Sequence, residues 1–159
     1  MTSAPSMKSP NNDQTLTKHA REKLIAVIDT PELDRACDLI KATMGHVGCY
    51  KFGLEFCYAN GLHVINDIKD KVGDFDVFLD LKMHDIPNQI EGAVRSCVSQ
   101  LKPKFLTVHI SGGKDMLIRA MDAKNEINPA TNILGVSVLT SLDQQNLVGI
   151  CAGLSAVGK

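Results

Sequence analysis

Short apolar runs alternate with stretches of helical periodicity along most of this 159-residue chain. Each run carries a polar or charged residue at or near its C-terminal end. The runs are 24–29, 49–53, 76–82, 105–110 and 133–139. After the first, Thr30-Pro31-Glu32 reads as a helix start, with Thr as N-cap, Pro at the first helical position and an acid in the first turn. Leu33, Ala36, Cys37, Ile40 and Met44 then recur at the spacing of one helix face, and Gly45 is a stop. Further helices are predicted over 61–71, 89–101 and 114–125. Pro103 closes the second of these and Ser111-Gly112-Gly113 opens the third. A weak last helix is predicted from 143.

Repeated strand and helix imply a parallel sheet with right-handed crossovers. The near-continuous apolar character of the strands suits burial on both faces. A (β/α) barrel and a doubly wound sheet both satisfy this pattern, and the charges decide between them. Asp29, Lys51, Asp80, Lys82, His109 and Thr140 fall at or near the C-terminal ends of successive runs. A barrel gathers all such ends into one site. A doubly wound sheet would use only those at one switch point, and no G-x-G-x-x-G follows the first run. The expected fold class is therefore α/β, of the (β/α)8 TIM-barrel type. Even compact barrels of this type take about 200 residues, so about five of the eight strand–helix units are expected here. The partial barrel is placed at 16–159. It follows a lead-in, 1–15, whose Ser, Pro, Asn and Thr content predicts disorder.

Composition narrows the partners. The formal net charge is -1, which gives no bulk attraction to nucleic acid or an anionic membrane. No apolar run approaches the roughly 20 residues that span a bilayer, and the N-terminus lacks the apolar core of a secretory signal. The five cysteines, Cys37, Cys49, Cys57, Cys97 and Cys151, are odd in number and form no C-x-x-C pair. Free thiols in a cytoplasmic protein are expected, with Cys49 and Cys97 as core filler. His19, His46 and His63 show no ligand spacing, so no metal site is expected. Met116 and Met121, at helical spacing, are read as core.

The stretch Asp80-Leu81-Lys82-Met83-His84-Asp85-Ile86-Pro87-Asn88 carries the most chemistry. It follows the apolar run Val77-Phe78-Leu79. Residues two apart in a strand share a face, so Asp80 and Lys82 project together and Asp85 follows in the loop. A surface ion pair at a strand end would satisfy the spacing alone, since charges near a core need partners.

Asp-Leu-Lys-x-His-Asp-Ile-Pro-Asn resembles the active-site signature of orotidine 5'-monophosphate decarboxylases. The likeness extends to both sides. Leu24-Ile25-Ala26-Val27-Ile28-Asp29 is similar to the family's first strand, and Tyr50-Lys51-Phe52-Gly53 to its second. Leu106-Thr107-Val108-His109 and Val136-Ser137-Val138-Leu139-Thr140-Ser141 are similar to the fourth and fifth. The resemblance covers roughly 16 to 150. The family's sixth to eighth strands, its phosphate-gripping loop and its phosphate-binding arginine have no matching position.

The resemblance implies loss of carbon dioxide from orotidine 5'-monophosphate to give uridine 5'-monophosphate, the last step of de novo pyrimidine nucleotide synthesis, without metal or organic cofactor. Lys82 would stabilise the carbanion at C6 and donate the proton. Asp80 would lie beside the substrate carboxylate, and Lys51 and Asp85 would complete an alternating Lys–Asp–Lys–Asp network. Asp29 would bind ribose hydroxyls, and Asn88 would do so across a homodimer in which Asp85 also reaches the neighbouring site. Ile86 would supply an apolar wall, and Thr140 would read the pyrimidine edge. His84 and His109 are read as structural. Two other readings stay open. One is a related sugar-phosphate decarboxylase, usually magnesium-dependent. The other is a non-catalytic truncated homologue that dimerises or binds a partner through strand edges left open at the first and fifth strands.

Overall fold

The computed structural model describes residues 18–157. The expected disordered lead-in, 1–15, lies outside the described residues. After a helical turn at 18–22, the chain alternates strand and helix as expected: β1 (Ile25–Ile28), α1 (Leu33–Thr43), β2 (Cys49–Gly53), α2 (Leu54–Asn60), α3 (Val64–Val72), β3 (Val77–Met83), α4 (Pro87–Leu101), β4 (Phe105–His109), α5 (Gly113–Ile127), β5 (Asn132–Val136) and α6 (Gln144–Val157). A short 3-10 turn, Ile110–Gly112, links β4 to α5.

The five strands form one parallel sheet in the order β1-β2-β3-β4-β5. The order never reverses, so it has no switch point of the doubly wound kind. Sequential parallel pairing with crossovers of one hand puts the connecting helices on one face and leaves the other as the inner face of a curving sheet. Burial follows this division. Tyr50 and Phe52 on β2, Val77 and Leu79 on β3 and Leu106 and Val108 on β4 are buried against the helices. They meet Ala36 and Ile40 of α1, Ile65 and Ile68 of α3, Ile90, Val94 and Val98 of α4, and Met116 and Ala120 of α5 in one core. Phe52 and Phe56 have ring centroids 5.0 Å apart, and Phe75 packs on Tyr50 at 5.1 Å. The buried Tyr50 hydroxyl is satisfied by the Ile40 carbonyl at 3.2 Å and by Thr43 at 3.0 Å.

Several local expectations are corrected. Helix α1 starts at Leu33 with Glu32 as N-cap. Thr30 lies further back, buried, and its hydroxyl accepts the Glu32 N–H at 3.3 Å, shaping the turn before the helix. The stop at Gly45 holds: its φ of +78° is one that a glycine adopts without strain. The helix expected over 61–71 is α3, starting later at Val64, and an unexpected further helix, α2, follows β2 directly and ends at Asn60, capped by Gly61 with its positive φ. Met116 is core as expected, whereas Met121 is 42% exposed. Gly48 fits for a steric reason. A Cβ there would stand 2.6 Å from the Glu22 backbone, so only glycine lets the 18–22 turn pack against the start of β2.

The sheet has two open edges. On β1, Ile25 and Val27 are 42% and 49% exposed, and on β5 Leu134 is 37% exposed. Among the described residues, each edge strand pairs with one neighbour.

Candidate functional site

Two adjacent strands, β2 and β3, build a charged centre on the inner face. Lys51 of β2 is registered opposite Phe78 of β3, and Gly53 opposite Asp80. Asp80 receives both lysines: Lys51 Nζ lies 3.2 Å from Oδ2 and Lys82 Nζ 2.8 Å from Oδ1. The Asp80 side chain is 13% exposed, and the two lysines keep more contact with solvent. Burial by itself would push the Asp80 carboxyl up. Hydrogen bonds from Lys82 and Lys51 outweigh it and hold the group below the usual carboxylate range. The aspartate is therefore an anion clamped between two cations at neutral pH. Beneath it on the same face, Phe78 and Phe105 pack edge to face at 5.7 Å.

The end of β3 is irregular. Leu79 pairs with Leu106 and Met83 with Val108, so Asp80, Leu81 and Lys82 together stand opposite the single residue Thr107. Lys82 has φ +48°, in the left-handed region that non-glycine residues seldom enter. Such outliers concentrate where side chains are aimed for function.

The other predicted residues lie around this centre. Asp29 follows β1 and is exposed. Asp85 makes no ion pair among the described residues. Its Oδ1 instead accepts the Ile86 N–H at 2.7 Å and shapes the turn into α4. Within one chain the ionic network thus has three members, Lys51, Asp80 and Lys82, and not the four of an alternating set. Ile86 is the N-cap of α4 and 63% exposed, and Asn88 is exposed in that helix's first turn. Thr140 is exposed in the turn beyond β5. His84 and His109 lie with ring centroids 5.3 Å apart at the ends of β3 and β4. Thr107, which sequence reasoning missed, is 5% exposed and touches both Asp80 and Lys82. A mid-strand threonine carries no linear signal of such contacts.

A groove of about 650 Å³ opens beside α2, β3 and α4, lined by Leu54, Tyr58, Leu81, Ile90 and Cys97 and reaching Lys82 and Asp85 at one end. The thiols of Cys57 and Cys97 are pushed up to about 11, chiefly by burial. No group of three or more His, Cys, Asp or Glu side chains among the described residues is placed to hold a metal ion. No described helix is long and apolar enough to cross a membrane.

A sequential parallel sheet whose strand ends carry Lys51, Asp80 and Lys82 defines this as part of a (β/α) barrel, with charge concentrated where barrels place their sites. The orotidine 5'-phosphate decarboxylase / HUMPS family model matches residues 22–154, and the chain belongs to that family. The orotidine 5'-phosphate decarboxylase of Novosphingobium aromaticivorans is 43% identical over 129 residues, covering 81% of this chain and 55% of that protein. The enzyme of the same name from Sphingopyxis alaskensis is 45% identical over 123 residues, covering 77% and 52%. Among solved structures, orotidine 5'-phosphate decarboxylase from Lactobacillus acidophilus superposes with a TM-score of 0.65 at 30% identity, covering 80% of this chain and 58% of that one. The chain spans about half the length of the curated relatives it matches.

Proposed function

We propose that this chain carries the catalytic half of an orotidine 5'-monophosphate decarboxylase, which converts that nucleotide to uridine 5'-monophosphate. The observation that carries the reading is the Asp80 carboxylate held between Lys51 at 3.2 Å and Lys82 at 2.8 Å at the C-terminal end of β3. Decarboxylation at C6 leaves an electron pair with little ring delocalisation, so the barrier falls only if fixed charge already faces the developing carbanion. Lys82 supplies that charge as an ammonium and then its proton, acting as general acid. Asp80 orients Lys82, whose Nζ lies 2.8 Å from its Oδ1, and its own negative charge lies beside the departing carboxylate. Lys51 balances Asp80 from the next strand. Asp29 binds the ribose hydroxyls, Thr140 the pyrimidine edge, and Ile86 walls the site. The chemistry calls for no metal and no organic cofactor.

Asp85 and Asn88 act across a homodimer in this reading. Their exposure beside the exposed Ile86 and the 84% exposed Tyr58, at the rim of the apolar groove, supports a second copy as the neighbour. Asp85 then supplies the fourth charge that a single chain lacks. The protein works in the cytoplasm.

The test is the fall in orotidine 5'-monophosphate absorbance with the purified 159-residue chain, with and without a chelator. Chelator-insensitive turnover is the expected result. Turnover that requires magnesium would move the substrate to a sugar phosphate. A folded chain with no turnover, whose activity appears only after extension through the remaining barrel units, would confine the proposal to the longer protein. If the extended protein were also inactive, the non-catalytic reading would replace it.

A further inference from the structure

We propose that Thr107 is the positioning residue that sets the geometry of the Asp80–Lys82 pair. The inference rests on the functional reading above for its catalytic consequence, but not for its structural content. Three residues of β3 face Thr107 alone, so the regular ladder is broken at the point where Lys82 must be aimed. The Lys82 backbone N–H is recovered by the Thr107 hydroxyl, which accepts it at 2.8 Å. That hydroxyl has one proton to give. Asp80 Oδ1 lies 3.2 Å away and the Leu79 carbonyl 3.5 Å away. The ionised carboxylate is the nearer and stronger acceptor. Asp80 Oδ1 also accepts Lys82 Nζ at 2.8 Å.

A closed ring results: the Lys82 backbone donates to Thr107, Thr107 donates to Asp80, and the Lys82 side chain donates to the same Asp80 oxygen. One buried hydroxyl thus fixes both ends of Lys82, holding its main chain at φ +48° and the anion that receives its ammonium. A serine could do the same, whereas valine has the shape of threonine without the hydroxyl. Asp80 faces Lys51 from β2 and Lys82 from its own strand, while the group facing it from β4 is the uncharged Thr107.

The experiment compares Thr107→Val and Thr107→Ser with the parent chain by carbon-detected NMR titration of the Asp80 carboxylate, assigned with Asp80→Asn. Removing the hydroxyl should move the Asp80 titration to higher pH, and Thr107→Ser should restore it. A merely structural threonine would lower the melting temperature of Thr107→Val and leave the Asp80 titration where it is, which would overturn the proposal. Should Thr107→Val fail to fold, Thr107→Ala removes the same hydroxyl with less bulk and is read in the same way. Where turnover is measurable, Thr107→Val should lower kcat about ten- to a hundredfold with KM little changed, as expected when a reacting group is misplaced rather than lost. The titration needs no decarboxylation. Inactivity of the extended protein would therefore count against the functional reading while leaving this one to be decided by the NMR shift.

Discussion

Lys51 is registered opposite Phe78, yet its ammonium lies 3.2 Å from Asp80, one same-face position further along β3. The lysine leans toward the C-terminal end of the sheet, away from the Phe78–Phe105 aromatic layer and toward the only carboxylate that meets two lysines among the described residues. A flexible four-carbon stem permits this, and the anion decides the direction.

Replacing Lys82 with alanine should reduce decarboxylation by about 10²- to 10⁴-fold or more, the range for losing a general acid that also supplies charge. Nucleotide binding should largely survive. The measurement pairs turnover with equilibrium binding of a substrate analogue, in the shortest version of the chain that is active. Near-normal turnover would remove Lys82 from the proton-donor role.

Acid should destabilise the protein partly through Asp80. Its carboxyl is held below the usual range in the folded state, so the unfolded chain takes up the proton first. The stabilisation is present above the unfolded value of about 4 and is lost as pH falls through the lower folded value. Denaturant midpoints measured from pH 6 down to pH 3 should fall, and Asp80→Asn should flatten that dependence.

Two packing substitutions should behave differently in cause and alike in direction. Phe52→Ala empties a fully buried site between β2, Phe56 and Phe75 and should cost about 3–5 kcal/mol. Gly48→Ala drives a methyl group to 2.6 Å from the Glu22 backbone and should cost about 1–3 kcal/mol. Urea titration of both variants checks the order, and a neutral Gly48→Ala would mean that the 18–22 turn yields easily.

Thiol labelling should separate the cysteines. Cys151 is exposed, whereas Cys49 and Cys97 are buried with thiols pushed up to about 11, mainly by burial. An aromatic disulfide reagent at neutral pH should label Cys151 quickly and reach Cys49 and Cys97 only as the chain unfolds. Rapid labelling of all five would contradict the core described here.

A mixture of Asp80 and Asp85 variants tests the proposed homodimer. If Asp85 completes a neighbouring site, hybrids contain one site with both aspartates intact, and partial activity should return on mixing. Two inactive variants that stay inactive after exchange of subunits would remove Asp85 from the neighbour's site.

The alternation of strand and helix and the shared face of Asp80 and Lys82 were legible in the sequence because each rests on a periodicity or a spacing, whereas the meeting of Lys51 with Asp80 was implied only by the family resemblance. Other features were not. Helix α2 begins at Leu54 on the residue after β2 ends, and it buries only Phe56, so neither a breaker nor a long apolar stripe announces it. Thr30 looked like a cap because cap preference depends on residue type, whereas the helix start depends on where the turn finishes. Asp85 looked like a partner for lysine, but the nearest unsatisfied donor was its neighbour's backbone N–H. The left-handed Lys82 and its bond to Thr107 depend on how β3 and β4 align across 25 residues, which no local pattern encodes.

The sequential strand order has a consequence for biosynthesis. Lys51, Asp80, Lys82 and Thr107 all lie on β2, β3 and β4, and each of these strands pairs with its immediate predecessor in the chain. Each connection is a helical crossover, and none passes over a strand that has yet to emerge. A ribosome that has released the chain through β4 has already released every residue of the charged centre. Every contact of the charged centre is thus available to the growing chain before β5 is made.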